Sequence, residues 1–218
     1  MTTIAQTISP PKGFHNGAAW LASLGDVSIE RVVFDPWPGF ATEDDLIRLV
    51  DGDQKRLCEL VDGTLVEKVV GSPEAFIAAQ LISFLSGYVR SRKLGAVFGA
   101  DAMMRVRPGC VRLPDVAFVR SDRLAKSISD WEAVFSGSPD LAVEVISRAN
   151  PRPETQQKLQ EYFAGGTSLV WYIYPKDQLV DVYTSALDPP VTLSADQMLS
   201  GGDTVPGFAV RVADLFTI

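Results

Sequence analysis

The chain has 218 residues, 46% of them apolar and 22% charged, ordinary figures for a globular protein with enough length to bury a real core. Its net charge of −7 argues against a general nucleic-acid coat protein, because phosphate binding needs cations. Two cysteines, Cys58 and Cys110, are too few for a disulfide scaffold, and no apolar run approaches the ~20 residues of a membrane span. Reduced, buried thiols, a cytoplasmic location and no membrane partner are therefore expected.

Residues 1–25 read as a flexible lead, polar and carrying Pro10, Pro11 and Gly13, without the apolar stretch of an export signal. Residues 26–218 are expected to form a single domain. Ile29–Phe34 reads as a short strand broken by Pro36-Trp37-Pro38-Gly39. Thr42-Glu43-Asp44-Asp45 resembles a capping box opening a helix of roughly two turns. Leu57–Val61 and Leu65–Val70 flank Asp62-Gly63, the pair that supplies positive φ in a tight turn, which predicts a β-hairpin. Gly71-Ser72-Pro73-Glu74 then starts a helix whose apolar positions Phe76, Ile77, Leu81, Phe84, Leu85 and Tyr88 recur at helical spacing to about Arg92.

Three strands are predicted next: Val97–Val106, bent or broken near Gly99, then Leu113–Arg120 and Leu141–Ser147, with a helix or irregular insertion around Asp122–Phe135. Pro153–Ala164 reads as a helix stopped by Gly165-Gly166, and Leu169–Tyr174 as a fully buried strand. Short strands at Leu179–Thr184, Val191–Leu193 and Phe208–Val212 finish the chain. The order predicts an α/β protein: a mixed sheet flanked by helices, with a hairpin before it and further strands after it.

Two acids lie in otherwise apolar strands. Asp115 shares a face with Leu113 and Ala117, and Glu144 shares one with Ala142 and Ile146. Ionised carboxylates among such neighbours are costly unless paired or bound to a cation, so the two are candidate ligands of a hard divalent metal. The alternative makes Asp115 a turn cap and Glu144 a solvated sheet residue. Lys158, on the helix that follows, is placed to reach them and to steady a phosphate or help deprotonate a water. It can equally form an exposed i,i+4 pair with Glu154. Glu59 is a possible third acid or a plain hairpin-edge residue, and Gln157 a weaker substrate contact.

Between Arg90 and Lys126 nine basic residues face three acids, a local +6 that leaves −13 for the rest. Such asymmetry suits a focused anionic substrate, with Arg105 and Arg107 as candidate contacts, or else marks a solvated surface. The only histidine, His15, lies in the lead, and neither a P-loop nor a Gly-x-Ser-x-Gly elbow occurs. Trp171, Tyr172 and Tyr174 read as core rather than as a platform for bases, and Met103-Met104 as packing.

Cys58-Glu59-Leu60-Val61-Asp62-Gly63, Leu113-Pro114-Asp115-Val116-Ala117-Phe118-Val119 and Pro139-Asp140-Leu141-Ala142-Val143-Glu144-Val145-Ile146-Ser147 occur in that order. Gln157-Lys158-Leu159, Glu161-Tyr162 and Val170-Trp171-Tyr172-Ile173 follow them. The ordered set resembles the bacterial Uma-two putative restriction endonuclease family, within the PD-(D/E)XK nuclease superfamily. The resemblance implies a restriction-endonuclease-like core with Asp115 and Glu144 as metal ligands. The superfamily lysine usually follows the second acid by two residues. Here that place is Ile146, so the role passes to Lys158, and Glu59 matches an acid of the family's hairpin block. Ala75 stands where family members often carry histidine, and Tyr174 where an acid is common.

The function expected is Mg²⁺- (or Mn²⁺-) dependent DNA endonuclease activity. Nucleic acid is the partner, and a homodimer is in keeping with duplex cleavage. The competing expectation is a catalytically idle nuclease-fold protein acting as a binding or assembly module. A two-carboxylate glycosidase would leave Lys158 and the basic segment without a role.

Overall fold

Two six-stranded β-sheets packed among helices form the framework of the computed structural model, which describes residues 14, 16–53, 55–147 and 150–218. In chain order the elements begin with α1 (Gly17–Ser23), β1 (Val32–Val33), α2 (Glu43–Asp51), the hairpin β2 (Cys58–Val61) and β3 (Thr64–Glu67), and α3 (Ser72–Arg92). β4 (Gly95–Phe98), β5 (Met103–Arg107), β6 (Cys110–Arg112), β7 (Val116–Arg120), β8 (Val134–Phe135) and β9 (Leu141–Val145) follow. α4 (Arg152–Ala164), β10 (Leu169–Tyr174), β11 (Leu179–Tyr183), β12 (Val191–Leu193), β13 (Met198–Ser200) and β14 (Ala209–Arg211) complete the set.

The first sheet runs β1-β3-β2-β6-β5-β8 and the second β12-β11-β10-β9-β7-β4. β9 and β10 are parallel, as the α4 crossover between them requires, while β7 and β11 flank them antiparallel. Alternation along the second sheet fills two cores. One face gives Val116, Phe118, Leu141, Val143, Trp171 and Ile173 to a core with Leu81 and Leu85 of α3. The other gives Ala117, Ala142, Val170 and Tyr172 to Leu159 and Tyr162 of α4, with Met104 and Val106 of the first sheet closing over them. α2 covers the far side of the first sheet through Leu46 and Val50. The mixed α/β architecture is the one the element order predicts.

Local chemistry fixes the early elements as expected. The Thr42 hydroxyl accepts from Asp45 N and the Asp45 carboxylate accepts from Thr42 N, a complete capping box. At the hairpin turn Asp62 and Gly63 have φ of 47° and 76°. α3 spans the expected residues and ends on Lys93 in the left-handed conformation.

Five details differ from expectation. Val97–Val106 is two strands in different sheets, because a turn closed by Ala102 N–H to Gly99 C=O redirects the chain. Cys110–Arg112 is a strand of the first sheet, launched by Gly109 at φ 74°, and Leu113–Asp115 carries the chain across to β7. Val32–Val33 alone remains of the Ile29–Phe34 strand, and β13 was not anticipated. Within the expected flexible lead, Asn16 caps α1, and Trp20 and Leu21 pack against buried Leu24, Val27, Val61 and Val66. Residues 1–13 and His15 lie outside the described residues. Among those described, no helix is long and apolar enough to cross a membrane.

The hairpin turn is pinned from outside. Gly63 C=O accepts from Gly39 N and Ala41 N, and a Cβ on Gly63 would lie 2.5 Å from Gly39 O. Gly63→Ala should therefore cost about 1–3 kcal/mol in urea denaturation, from backbone conformation and collision together. An unchanged midpoint would mean that the turn is free to relax.

Candidate functional site

α4 turns a charged face inward. Glu154, Lys158 and Glu161 follow one another at i, i+4 and i+7, so they share one side of the helix, and all three are buried. Glu154 and Lys158, at 1% and 5% exposure, do not form the exposed pair that their spacing allows. Glu154 is clasped by Arg31 through two bonds of 2.7 and 2.8 Å, while Lys158 Nζ lies 2.9 Å from Glu59 Oε1 and 3.4 Å from Glu144 Oε1. Glu161 accepts from Arg112 Nε at 2.7 Å.

The two strand acids meet as alternation predicts. The β7–β9 register pairs Val116 with Val143 and Ala117 with Ala142, and its continuation brings Asp115 abreast of Glu144. Asp115 N–H donates to Val143 O, and Asp115 Oδ2 accepts from Val145 N at 2.7 Å. Asp115 Oδ1 is 2.8 Å from Lys68 Nζ, which also donates to Leu113 O. Glu144 Oε1 accepts from Tyr162 Oη at 2.7 Å, and among the described residues its Oε2 takes no hydrogen bond.

Asp115, Glu144, Lys68 and Lys158, with Arg31 and Glu154, line one small cavity of about 20 Å³, room for one water-sized guest. Two carboxylates facing a cavity of that size are hard oxygen donors of the type that a divalent cation such as Mg²⁺ takes while keeping some of its own waters. Among the described residues no group of three acidic, histidine or cysteine side chains is suitably arranged for a metal. Glu59 is not among the residues that line the cavity. It is saturated by Lys158, by Arg112 Nη1 at 2.8 Å and by Leu113 N at 3.1 Å, and its part is to hold Lys158.

Burial would raise the Glu59 carboxyl, but the charges of Lys158, Arg112 and Lys68 together outweigh it and hold the group below the ordinary range. Burial would lower the Lys158 ammonium, yet Glu144 and Glu59 hold it above its ordinary value, so it is a fixed cation and not a base at neutral pH. Glu144 is pushed up, chiefly by burial and further by Asp115 and Glu59, against the pull of Lys158 and Lys68.

The other candidates lie elsewhere. Arg105 is spent on a two-bond pair with Glu43 at 2.7 Å, and Arg107 on Asp62 and Glu161. Gln157 donates to Glu161. None of the three lines the cavity. Each of them is bonded to an acid of the protein itself.

Residues 44–213 match the sequence profile of the Uma2 family, described as "Putative restriction endonuclease". The chain belongs to this family. Among solved structures, a putative nuclease of the DUF820 family from Anabaena variabilis ATCC 29413 superimposes with a TM-score of 0.69 at 17% identity. The match covers 80% of this chain and 97% of that one, and shows a shared fold. No curated protein matches the chain significantly.

Lys68, Tyr162 and Arg112 were not singled out in the sequence, though two left a trace. The Asp62-Gly63 turn sets Glu59 opposite Val66, so Lys68, two residues on, shares the face of Glu59. Tyr162 lies one helical turn after Lys158. Arg112 carried no local sign, because β6 itself was not anticipated.

The depressed Glu59 carboxyl predicts an acid-labile fold. Its contribution is complete above the ordinary value of 4.5 and is lost as pH falls from there toward the lower folded-state value. Glu59→Gln should cost about 3–5 kcal/mol at neutral pH, because Lys158 and Arg112 lose a buried partner. It should also flatten the fall of melting temperature between about pH 5 and about pH 2. Parallel acid limbs for native and variant would contradict this.

Proposed function

We propose that the protein is a metal-dependent nuclease that hydrolyses phosphodiester bonds of DNA, with its centre at the Asp115–Glu144 cavity. The observation that carries this reading is the convergence of two buried strand carboxylates on one guest-sized cavity beside a fixed ammonium group. Family membership and the shared nuclease fold support it.

In this reading Asp115 and Glu144 hold Mg²⁺ or Mn²⁺, with Asp115 aimed by Val145 N and Glu144 by Tyr162 and Lys158. The bound cation supplies positive charge where the transition state of phosphate attack builds negative charge. Lys158 offsets part of the burial that raises Glu144 and presents an ammonium at the cavity wall, and its protonation makes it a source of charge rather than a proton acceptor. Glu59 and Arg112 act on Lys158 and on the seating of α4, outside the reacting groups. Water access is confined by the smallness of the cavity.

A second reading, a catalytically idle nuclease-fold protein serving binding or assembly, is favoured by one observation. Lys68 already pairs with Asp115, and Lys158 and Tyr162 with Glu144, so the carboxylates have partners without a metal.

Cleavage of circular DNA, single-stranded and duplex, separates the two. With Mg²⁺ or Mn²⁺ the native protein should nick or linearise one of these forms, and Asp115→Ala and Glu144→Ala should abolish cleavage. Lys158→Met, confirmed as folded by its melting curve, should lose about 10²–10³-fold in rate. A native protein that melts cooperatively yet leaves every substrate intact with either metal favours the idle reading.

A further inference from the structure

The row of the second sheet that contains Glu144 does not stop at the cavity. Glu144 pairs with Tyr172, Tyr172 with Asp181, and Asp181 with Thr192, so one line of side chains on one face runs from the candidate ligand to the sheet edge. By the same alternation Tyr174 and Tyr183 share this face, flanking the row. α4 covers only its beginning, where Tyr172 Oη donates to Thr155 O at 2.6 Å. Beyond that point the face opens into a groove of about 750 Å³, which shares Thr155 and Tyr172 with the cavity. Strands lie about 4.8 Å apart, so β11 is roughly 10 Å from Glu144, one or two nucleotides along an extended strand.

The chemistry of the groove is aromatic rather than cationic. Tyr174 and Tyr183 are half-buried and present ring surface, unlike Trp171, which is fully buried on the opposite face. Among the described residues Arg152 is the cation that lines the groove, against Asp177 and Asp181. Holding a duplex requires many phosphate contacts, and Arg105 and Arg107 are already spent within the protein. Aromatic rings need no cation to hold bases, since any base has a face to stack.

We propose that this groove is a subsite for single-stranded nucleic acid, in which bases next to the scissile phosphate lie on Tyr174 and Tyr183. The proposal rests on the nuclease reading and specifies its substrate class: an unpaired strand, or a locally opened duplex, rather than an intact double helix. Arg152, at the start of α4, faces the backbone of that strand, and the acids of the groove keep phosphates toward the cavity.

The test is fluorescence anisotropy of the full chain with labelled oligo-dT, and with the same oligo-dT annealed to oligo-dA, in EDTA so that nothing is cleaved. Oligo-dT should bind at least tenfold tighter than the duplex. Tyr174→Leu and Tyr183→Leu, chosen to keep the sheet edge apolar and checked by melting, should each lose about tenfold. Tyr174→Phe should retain binding, because it keeps the ring. Equal or tighter binding of the duplex, or unchanged affinity in both leucine variants, overturns the subsite while leaving the nuclease reading intact. No binding of either form overturns both.

Discussion

The ammonium of Lys158 joins the two halves of the architecture. It is carried by α4 and held between Glu59 of the first sheet and Glu144 of the second, at 2.9 and 3.4 Å. Arg31 on Glu154 and Arg112 on Glu161 fasten the same helix face above and below it. A hydrophobic face would bury α4 at lower desolvation cost, since replacing buried ion pairs by apolar residues is often neutral or stabilising. What the charged face provides is placement: each carboxylate has directional partners that favour one seating of α4 over the second sheet. Leu159 and Tyr162 add the apolar contact that holds the helix down.

The consequence at the cavity is a graded electrostatic environment. Glu59, surrounded by three cations, stays ionised. Glu144 shares Lys158 with it and faces Asp115, so its burial is incompletely offset. A further positive charge has its strongest effect beside Glu144 and Asp115, which is where the cavity lies. Lys68 supplies part of that charge from the end of the hairpin, anchored by Leu113 O and Asp115. The structure thus sets Lys158 against Glu144 and Lys68 against Asp115, with the cavity beside both carboxylates.

Much of this was legible in the sequence. The hairpin turn, the capping box, α3, α4 and β10 followed from turn residues, caps and periodicity, and Asp115 and Glu144 stood out because acids in apolar strands need partners. What escaped was set by crossings between sheets. The turn at Gly99–Ala102 and the passage from β6 to β7 send neighbouring segments to different sheets, and apolar alternation is the same in either one. Hence the pairing of Arg112 with Glu59 was not legible, and Glu59, read as a possible third acid or a hairpin-edge residue, lies between Lys158 and Arg112. The partners of the basic run from Arg90 to Lys126 were hidden in the same way. Arg105, Arg107, Arg112 and Arg123 pair with Glu43, Asp62, Glu161 and Asp140 respectively, acids contributed from elsewhere in the chain.

The central claim is that Asp115 and Glu144 together hold a divalent cation, and thermal melting tests it most directly. The native protein and an Asp115→Asn, Glu144→Gln variant would be melted with and without millimolar Mg²⁺. A ligand bound only by the folded state raises the melting temperature by mass action. The account predicts a Mg²⁺-dependent rise in the native protein and none in the variant, which keeps the hydrogen bonds but lacks the charge. The same rise in both, or none in the native protein, would contradict it.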